Sequence, residues 1–96
     1  MLFMVQMTVN IPHDIESGHS ADLKAAERAR SHDLQEAGIW RHIWREVGRY
    51  ANISIFDVDS ADQLHEILTT LPLYPFMDVS VTSICRHPSS VRDKDR

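Results

Sequence analysis

Cysteine and glycine are both scarce in this sequence, which has one cysteine and three glycines in 96 residues. A single cysteine excludes an internal disulfide framework and a cysteine-rich metal centre. So little glycine argues against a glycine-rich loop that cradles phosphate. No apolar run approaches the roughly 18 residues of a membrane span, and the first residues lack the basic region of a secretory signal. We therefore expect a cytoplasmic protein with no membrane partner and no metal.

A surplus of positive charge is also missing. The chain has 10 basic and 14 acidic residues, for a formal net charge of −4 at pH 7, whereas nucleic-acid binders normally carry a basic surplus on one face. The apolar share of 43% and the charged share of 25% are those of a globular protein. The length predicts one domain over residues 1–96, with a polar tail at 88–96. Nucleic acid is therefore not an expected partner.

The order of predicted elements indicates an α+β fold. Ser20 and Ser60 are suitable N-caps, Gly38 is suited to end a helix, and Gly48 is suited to a tight turn. These signals and the apolar spacing predict strands at residues 2–9, 39–46, 49–58 and 77–86 and helices at residues 21–37 and 61–71. The second helix has a predicted buried stripe of Leu64, Ile67, Leu68 and Leu71. The resulting βαββαβ order is ferredoxin-like, with a four-stranded antiparallel sheet and both helices on one face.

The predicted hairpin divides its side chains between two faces of the sheet. A two-residue turn at Val47 and Gly48 places a polar set on one face: Arg41, Ile43, Arg45, Tyr50, Asn52 and Ser54. The opposite face then holds Trp40, His42, Trp44, Ala51, Ile53 and Ile55. We expect the aromatic and aliphatic set to face the helices and the polar set to lie on the open face. A one-residue change in turn length would exchange the two sets.

Glu27 is an unusual residue of the first helix, because it lies beside the predicted apolar stripe. That stripe consists of Leu23, Ala26, Leu34 and Ala37. A carboxylate that faces a sheet is costly unless it is paired or used. One interpretation is an ion pair with Lys24, three residues earlier on the helix. The other is a carboxylate base whose pKa is tuned by partial burial and by Lys24.

Several uncommon strings resemble the muconolactone isomerase family over the whole chain. They are Trp40-Arg41-His42-Ile43-Trp44-Arg45, Gly48-Arg49-Tyr50-Ala51-Asn52, Leu71-Pro72-Leu73-Tyr74-Pro75 and Cys85-Arg86-His87-Pro88-Ser89-Ser90, together with Leu23-Lys24 and Glu27 on the first helix. Chloromuconolactone dehalogenase shares the same scaffold, and the string that begins at Cys85 is more similar to the isomerase.

The resemblance implies a reaction and an assembly. The reaction converts muconolactone to 3-oxoadipate enol-lactone by moving a proton and a double bond within the lactone ring, in the catechol branch of the β-ketoadipate pathway. The assembly is a homo-oligomer, in which open sheet faces pair into a dimeric α+β barrel and dimers form a decamer. The substrate is a small lactone, and no cofactor is implied.

The geometry and the resemblance together suggest a site. Glu27 is the candidate base and proton shuttle, and Lys24 keeps it ionised or stabilises the lactone oxyanion. Arg41 and Arg45 are candidates for binding the free carboxylate, because guanidinium groups bind carboxylates bidentately. Tyr50, Asn52 and Ser54 supply neutral donors. Two alternatives stay open: a different enzyme, such as a monooxygenase, on a similar barrel, and a ligand-binding module without catalysis.

Overall fold

The computed structural model describes residues 1–92. The elements are β1 Leu2–Val9, α1 Ser17–Glu36, β2 Trp40–Arg45, β3 Ala51–Asp57, α2 Ala61–Thr69, a 3₁₀ turn Tyr74–Phe76 and β4 Met77–Ile84. The strands form one antiparallel sheet in the order β2-β3-β1-β4. The predicted ferredoxin-like βαββαβ order is confirmed. The last part of the predicted tail, residues 93–96, lies outside the described residues.

The two helices begin differently with respect to their predicted caps. Ser60 is the N-cap of α2, since its Oγ accepts a hydrogen bond from the Gln63 N–H at 3.1 Å. The prediction of Ser20 as the N-cap of α1 is wrong, because the Ser20 N–H already donates to the Glu16 carbonyl at 2.9 Å. The helix therefore starts almost one turn earlier, at Ser17. At its other end Gly38 adopts a φ of 78°, a conformation that glycine adopts without strain.

The core lies between the helices and one face of the sheet. The helix-facing row of β1 and the predicted stripe of α2 supply most of it: Phe3, Val5, Met7, Leu64, Ile67, Leu68 and Leu71. From α1, Leu34 joins this core, but Ala26 and Ala37 are exposed. The predicted alanine stripe of α1 is therefore wrong, because the inward side of the helix is rotated toward Glu27 and the buried Ser31.

The β2–β3 hairpin has a longer turn than predicted. Arg45 pairs with Asn52, and the Glu46 N–H donates to the Ala51 carbonyl at 3.0 Å. The pairing is thus shifted by two residues, which leaves the alternation of side chains unchanged. A bulge between Trp40 and His42 inserts Arg41 as an extra residue, so Trp40 lies opposite Phe56 on the helix-covered face.

The expected assignment of the hairpin faces is wrong except at Trp40, which lies before the bulge and faces the helices as predicted. Ser54 has no exposed surface, whereas Trp44 is 68% exposed. The register explains the reversal, because the apolar row of β1 pairs Val5 with Ser54 and Met7 with Asn52. The continuous apolar row of β1 decides which side receives the helices, and β3 must follow it. The polar residues of β3 therefore lie under the helices.

The open face carries the aromatic and aliphatic side chains instead. Trp44 pairs with Ile53 and His42 with Ile55 on β2 and β3, and Met4 of β1 lies opposite Ile55. The apolar side chains of this face are concentrated on β2 and β3, while the same face of β1 and β4 also carries polar residues.

Candidate active site

Glu27 is held by one carboxylate oxygen and has the other oxygen free. Its Oε1 accepts a hydrogen bond from the Leu73 N–H at 2.9 Å. Its Oε2 is buried and has no hydrogen-bond partner among the described residues. Burial raises the pKa of Glu27 above its ordinary value, and the Leu73 hydrogen bond opposes that rise without cancelling it. A partly desolvated carboxylate with one free oxygen has the properties of a general base.

The donor to Glu27 belongs to a short, internally bonded turn. The Tyr74 N–H donates to the Leu71 carbonyl and the Phe76 N–H donates to the Leu73 carbonyl, both at 2.9 Å. Leu71 and Leu73 are both buried, and Pro75 fixes a backbone φ within the turn. The Leu73 N–H is therefore held in place, and it orients the Glu27 carboxylate across 46 residues of sequence.

Lys24 and Arg45 both lie against the ring of Tyr50. The distance from the ring centroid is 5.6 Å to Lys24 Nζ and 5.4 Å to Arg45 Cζ, within the range of cation–π attraction. Arg45 is further restrained, because its Nη1 donates to the Arg49 carbonyl at 3.2 Å. Two cations thus meet at one aromatic ring, where they would attract an anion.

The expected ion pair of Lys24 with Glu27 does not involve the free carboxylate oxygen. Glu27 Oε2 has no partner among residues 1–92, and Lys24 Nζ lies over Tyr50. Lys24 is still a neighbour of Glu27, because residues three apart share one side of a helix. Glu27 is therefore adjacent to Lys24, one of the two cations, through α1.

Asn52 lies beside this cationic cluster at a small cavity. The cavity has a volume of about 190 Å³ and is lined by Val9, Ile43, Arg45, Tyr50, Ala51 and Asn52. Ser54 is fully buried behind it and donates from Oγ to Asn52 Oδ1 at 2.7 Å. A more open cleft shares Val9 and Tyr50 with this cavity and includes Lys24. The two spaces together form a cleft on the helix-covered side of the sheet.

Arg41 lies apart from the other predicted site residues. Its guanidinium forms an ion pair with Asp57 at 3.7 Å, and Asp57 is also 3.5 Å from the amino group of Met1. The bulge places Arg41 at the opposite end of β2 from Arg45. The structure thus brings together Lys24, Arg45, Tyr50, Asn52 and Ser54, with Glu27 next to them on α1, and separates Arg41 from them.

Within residues 1–92, no group of three or more His, Cys, Asp or Glu side chains could hold a metal ion. No helix in the same range is long and apolar enough to cross a membrane. The polar groups that line the cleft include two cations, one phenol and one amide, and the buried Glu27 carboxylate lies three residues from Lys24 on α1. This combination suits proton transfer on a small anionic molecule.

The fold and the site define a class of protein: a ferredoxin-like domain with a cationic cleft on its helix-covered side and a buried carboxylate on the neighbouring helix. The family model for muconolactone delta-isomerase matches residues 1–90. The chain is 56% identical to muconolactone delta-isomerase 2 of Acinetobacter lwoffii over 96 residues, covering 100% of both chains. It is 49% identical to the muconolactone delta-isomerase of Pseudomonas aeruginosa, again over 100% of both chains. The chain belongs to the muconolactone delta-isomerase family.

A solved structure supports the same relationship. A crystal structure of muconolactone isomerase matches this fold with a TM-score of 0.94 and 50% identity, covering 100% of both chains. The family resemblance found in the sequence is confirmed by these comparisons.

One contact of the site could not be found from side-chain patterns. The donor to Glu27 is the backbone N–H of Leu73, and every residue except proline carries such a group. The only sequence signal was the Leu71-Pro72-Leu73-Tyr74-Pro75 string, which pointed to the family and not to a contact with α1.

Proposed function

We propose that this chain isomerises muconolactone to 3-oxoadipate enol-lactone, in the catechol branch of the β-ketoadipate pathway. The observation that carries the proposal is the Glu27 carboxylate, with one oxygen anchored by Leu73 and the other buried without a partner. The full-length similarity to muconolactone delta-isomerases supports the choice of substrate.

Proton removal is assigned to Glu27 Oε2, which is buried in the free subunit, so the proposal requires that the bound lactone ring displaces neighbouring side chains to reach it. In the proposed reaction this oxygen takes a proton from one carbon of the lactone ring, and the electrons of that C–H bond delocalise into a dienolate. The same carboxyl group then returns the proton to another ring carbon, so the double bond moves and the atoms balance. A pKa raised by burial suits both halves of this cycle, because the group must accept and then release a proton near neutral pH.

The negative charges of the substrate are assigned to the two cations. Arg45 is the proposed partner of the free carboxylate, since its guanidinium lies at the cavity and is restrained by Tyr50 and Arg49. Lys24 is the proposed partner of the developing oxyanion, because it is adjacent to Glu27 on α1. Stabilising charge where it develops is the larger part of such catalysis. Arg41 has no part in the proposal, since Asp57 neutralises it elsewhere.

The decisive assay follows muconolactone and its 5-chloro analogue side by side with the purified protein. We expect isomerisation of muconolactone without a requirement for oxygen, flavin or haem, at a higher kcat/KM than turnover of the chlorinated analogue. A higher kcat/KM for the analogue with chloride release would support the dehalogenase instead. Binding of muconolactone without turnover or ring-proton exchange would support a ligand-binding module.

The assembly is a second part of the proposal. The open face of the sheet carries Met4, Trp44, Ile53 and Ile55, and an apolar face of this kind favours contact with another subunit. We propose that two copies pair through this face and that dimers build a larger homo-oligomer, which the family resemblance gives as a decamer. We also propose that the enzyme acts in the cytoplasm.

A further inference from the structure

We propose that Ser54 is a positioning residue, which holds the amide of Asn52 so that only its N–H groups meet the substrate. This inference rests on the function proposed above and adds to it. The sequence suggested Ser54 as a direct donor to the substrate, and the geometry points to an indirect role through Asn52.

The burial of Ser54 is the first reason. Ser54 has no exposed surface, and the residues that line the 190 Å³ cavity include Asn52 but not Ser54. A substrate in that cavity reaches Asn52 before it can reach the serine. Direct contact with Ser54 would require the strand or Asn52 itself to move.

The hydrogen bond between the two side chains is the second reason. Residues two apart on a strand point to the same face, so Ser54 and Asn52 are neighbours in one row of β3. The Ser54 Oγ donates to Asn52 Oδ1 at 2.7 Å, a favourable length for such a bond. That bond occupies the amide oxygen of Asn52.

The chemical consequence concerns which group the amide offers. A free asparagine amide can rotate to present either its oxygen acceptor or its two N–H donors. With Oδ1 bound to Ser54, the Nδ2 donors are the groups that the amide has left to offer to the cavity, which Asn52 and Arg45 both line. The substrate carries a carboxylate and a lactone carbonyl, which both accept hydrogen bonds. An inverted amide would present an oxygen to these acceptors and would repel them.

A double-mutant cycle in the full-length protein tests this assignment. The variants are Ser54→Ala, Asn52→Ala and the double variant, with kcat and KM measured for muconolactone. We expect Ser54→Ala to lower kcat/KM about 3- to 10-fold, the loss of roughly one hydrogen bond. We expect the share of this loss that comes from kcat, and the share that comes from KM, to be the same in Ser54→Ala as in Asn52→Ala. In the Asn52→Ala background, Ser54→Ala should change kcat/KM less than about 2-fold, because coupled residues do not add.

Two results of the cycle would overturn the proposal. An equal loss from Ser54→Ala in both backgrounds would mean that the serine acts independently of Asn52. No loss in either background would mean that the amide needs no positioning. The matched control is Ser31→Ala, which removes a buried hydroxyl that donates to the Arg28 carbonyl on α1. We expect that variant to retain wild-type kcat and KM.

A second measurement does not depend on turnover. The side-chain ¹³Cγ resonance of Asn52, assigned by its absence in Asn52→Ala, reports whether Oδ1 accepts a hydrogen bond. We expect this resonance to shift in Ser54→Ala and to stay unchanged in Ser31→Ala. An unchanged resonance in Ser54→Ala would refute the positioning role. If muconolactone is not turned over but the resonance shifts, the proposed function fails and the contact between the two side chains stands.

Discussion

The two faces of the sheet differ in which side chains they carry: polar residues lie on the covered face, and large apolar residues lie on the open face. The helix-covered face contains the polar pair of Asn52 and Ser54 within its apolar core. The open face presents Trp44, which is 68% exposed, with Ile53 and Ile55 beside it. An ordinary two-layer domain buries its apolar side and exposes its polar side. Here both sides depart from that rule.

The difference indicates a division of labour between the faces. Buried polar groups cost free energy unless they are hydrogen-bonded or used, and the polar groups under the helices line a cleft or support it. An exposed apolar face is costly unless it is covered by a partner. We therefore interpret the helix-covered face as the catalytic side and the open face as the side of subunit contact. The predictions below separate these two roles.

The largest effect is expected from Glu27→Gln. This change removes the proposed base but keeps an oxygen that can accept the Leu73 hydrogen bond. We expect kcat to fall by about 10²- to 10⁴-fold with the fold intact, as measured by steady-state kinetics and circular dichroism. The control is Glu36→Gln, the same substitution at an exposed position on α1. Wild-type turnover in Glu27→Gln would exclude Glu27 from the mechanism.

The next effect concerns the open face. We expect Trp44→Glu to disrupt subunit pairing, because a buried charge without a partner is costly at an interface. Light scattering should show a smaller species than for the wild type at the same concentration. Val47→Glu is the matched control, since Val47 is 97% exposed in the hairpin turn and we expect no change in mass. An unchanged mass in Trp44→Glu would contradict contact through this face.

A moderate effect is expected at Arg45. Replacement by alanine removes the proposed partner of the substrate carboxylate, and we expect KM to rise about 10- to 100-fold, since charged hydrogen bonds contribute roughly 1.5–3 kcal/mol. Arg45→Lys keeps the positive charge but loses the planar guanidinium fork, so its KM should lie between those of the wild type and Arg45→Ala. The control is Arg49→Ala on the same hairpin, where the guanidinium pairs with Glu46 at 3.9 Å. Equal KM values for Arg45→Ala and the wild type would refute the assignment.

The smallest effect is a change in stability with pH. Because the folded-state pKa of Glu27 is raised by burial, the folded protein holds this proton at pH values where the unfolded chain has released it. The Glu27 contribution to stability is therefore present at low pH and is lost as pH rises through the folded-state pKa. A glutamine side chain cannot ionise, so its contribution to stability does not change with pH. We therefore expect the difference between the Tm of Glu27→Gln and the Tm of the wild type to become more positive as pH rises, by roughly a few °C. A difference in Tm that is constant with pH would contradict the raised pKa.

Much of the fold could be predicted from the sequence, because its signals are local. The Ser60 cap, the glycine that ends α1 and the α2 stripe depend on neighbours within a few residues, and each is confirmed. The start of α1 was missed, since Glu16 precedes the helix without a side-chain cap. No local signal distinguished it from Ser20.

The face assignment failed for a different reason. Which side of β3 receives the helices is decided by its pairing with β1, about 50 residues earlier in the chain. The polarity of β2 and β3 alone pointed the other way, because the site places polar groups in the core. The Arg41 bulge and the Leu73 contact to Glu27 are also long-range features. Glu27 was singled out because it lies near Leu23 and Leu34 on α1, and its partial burial is confirmed although the alanines of the predicted stripe are exposed.

The central claim is that Glu27, on the helix-covered side of the sheet, removes a proton from the substrate. Measuring that proton transfer in D₂O tests the claim most directly. Wild type, Glu27→Gln and Glu36→Gln are incubated with saturating muconolactone in D₂O, and ¹H NMR follows both product formation and deuterium in the recovered substrate. Counting both matters, because a buried carboxyl group can return a proton without exchange. We predict that product formation and deuterium incorporation both fall by about 10²-fold or more in Glu27→Gln, while Glu36→Gln matches the wild type. Deuterium incorporation by Glu27→Gln at the wild-type rate would contradict the account.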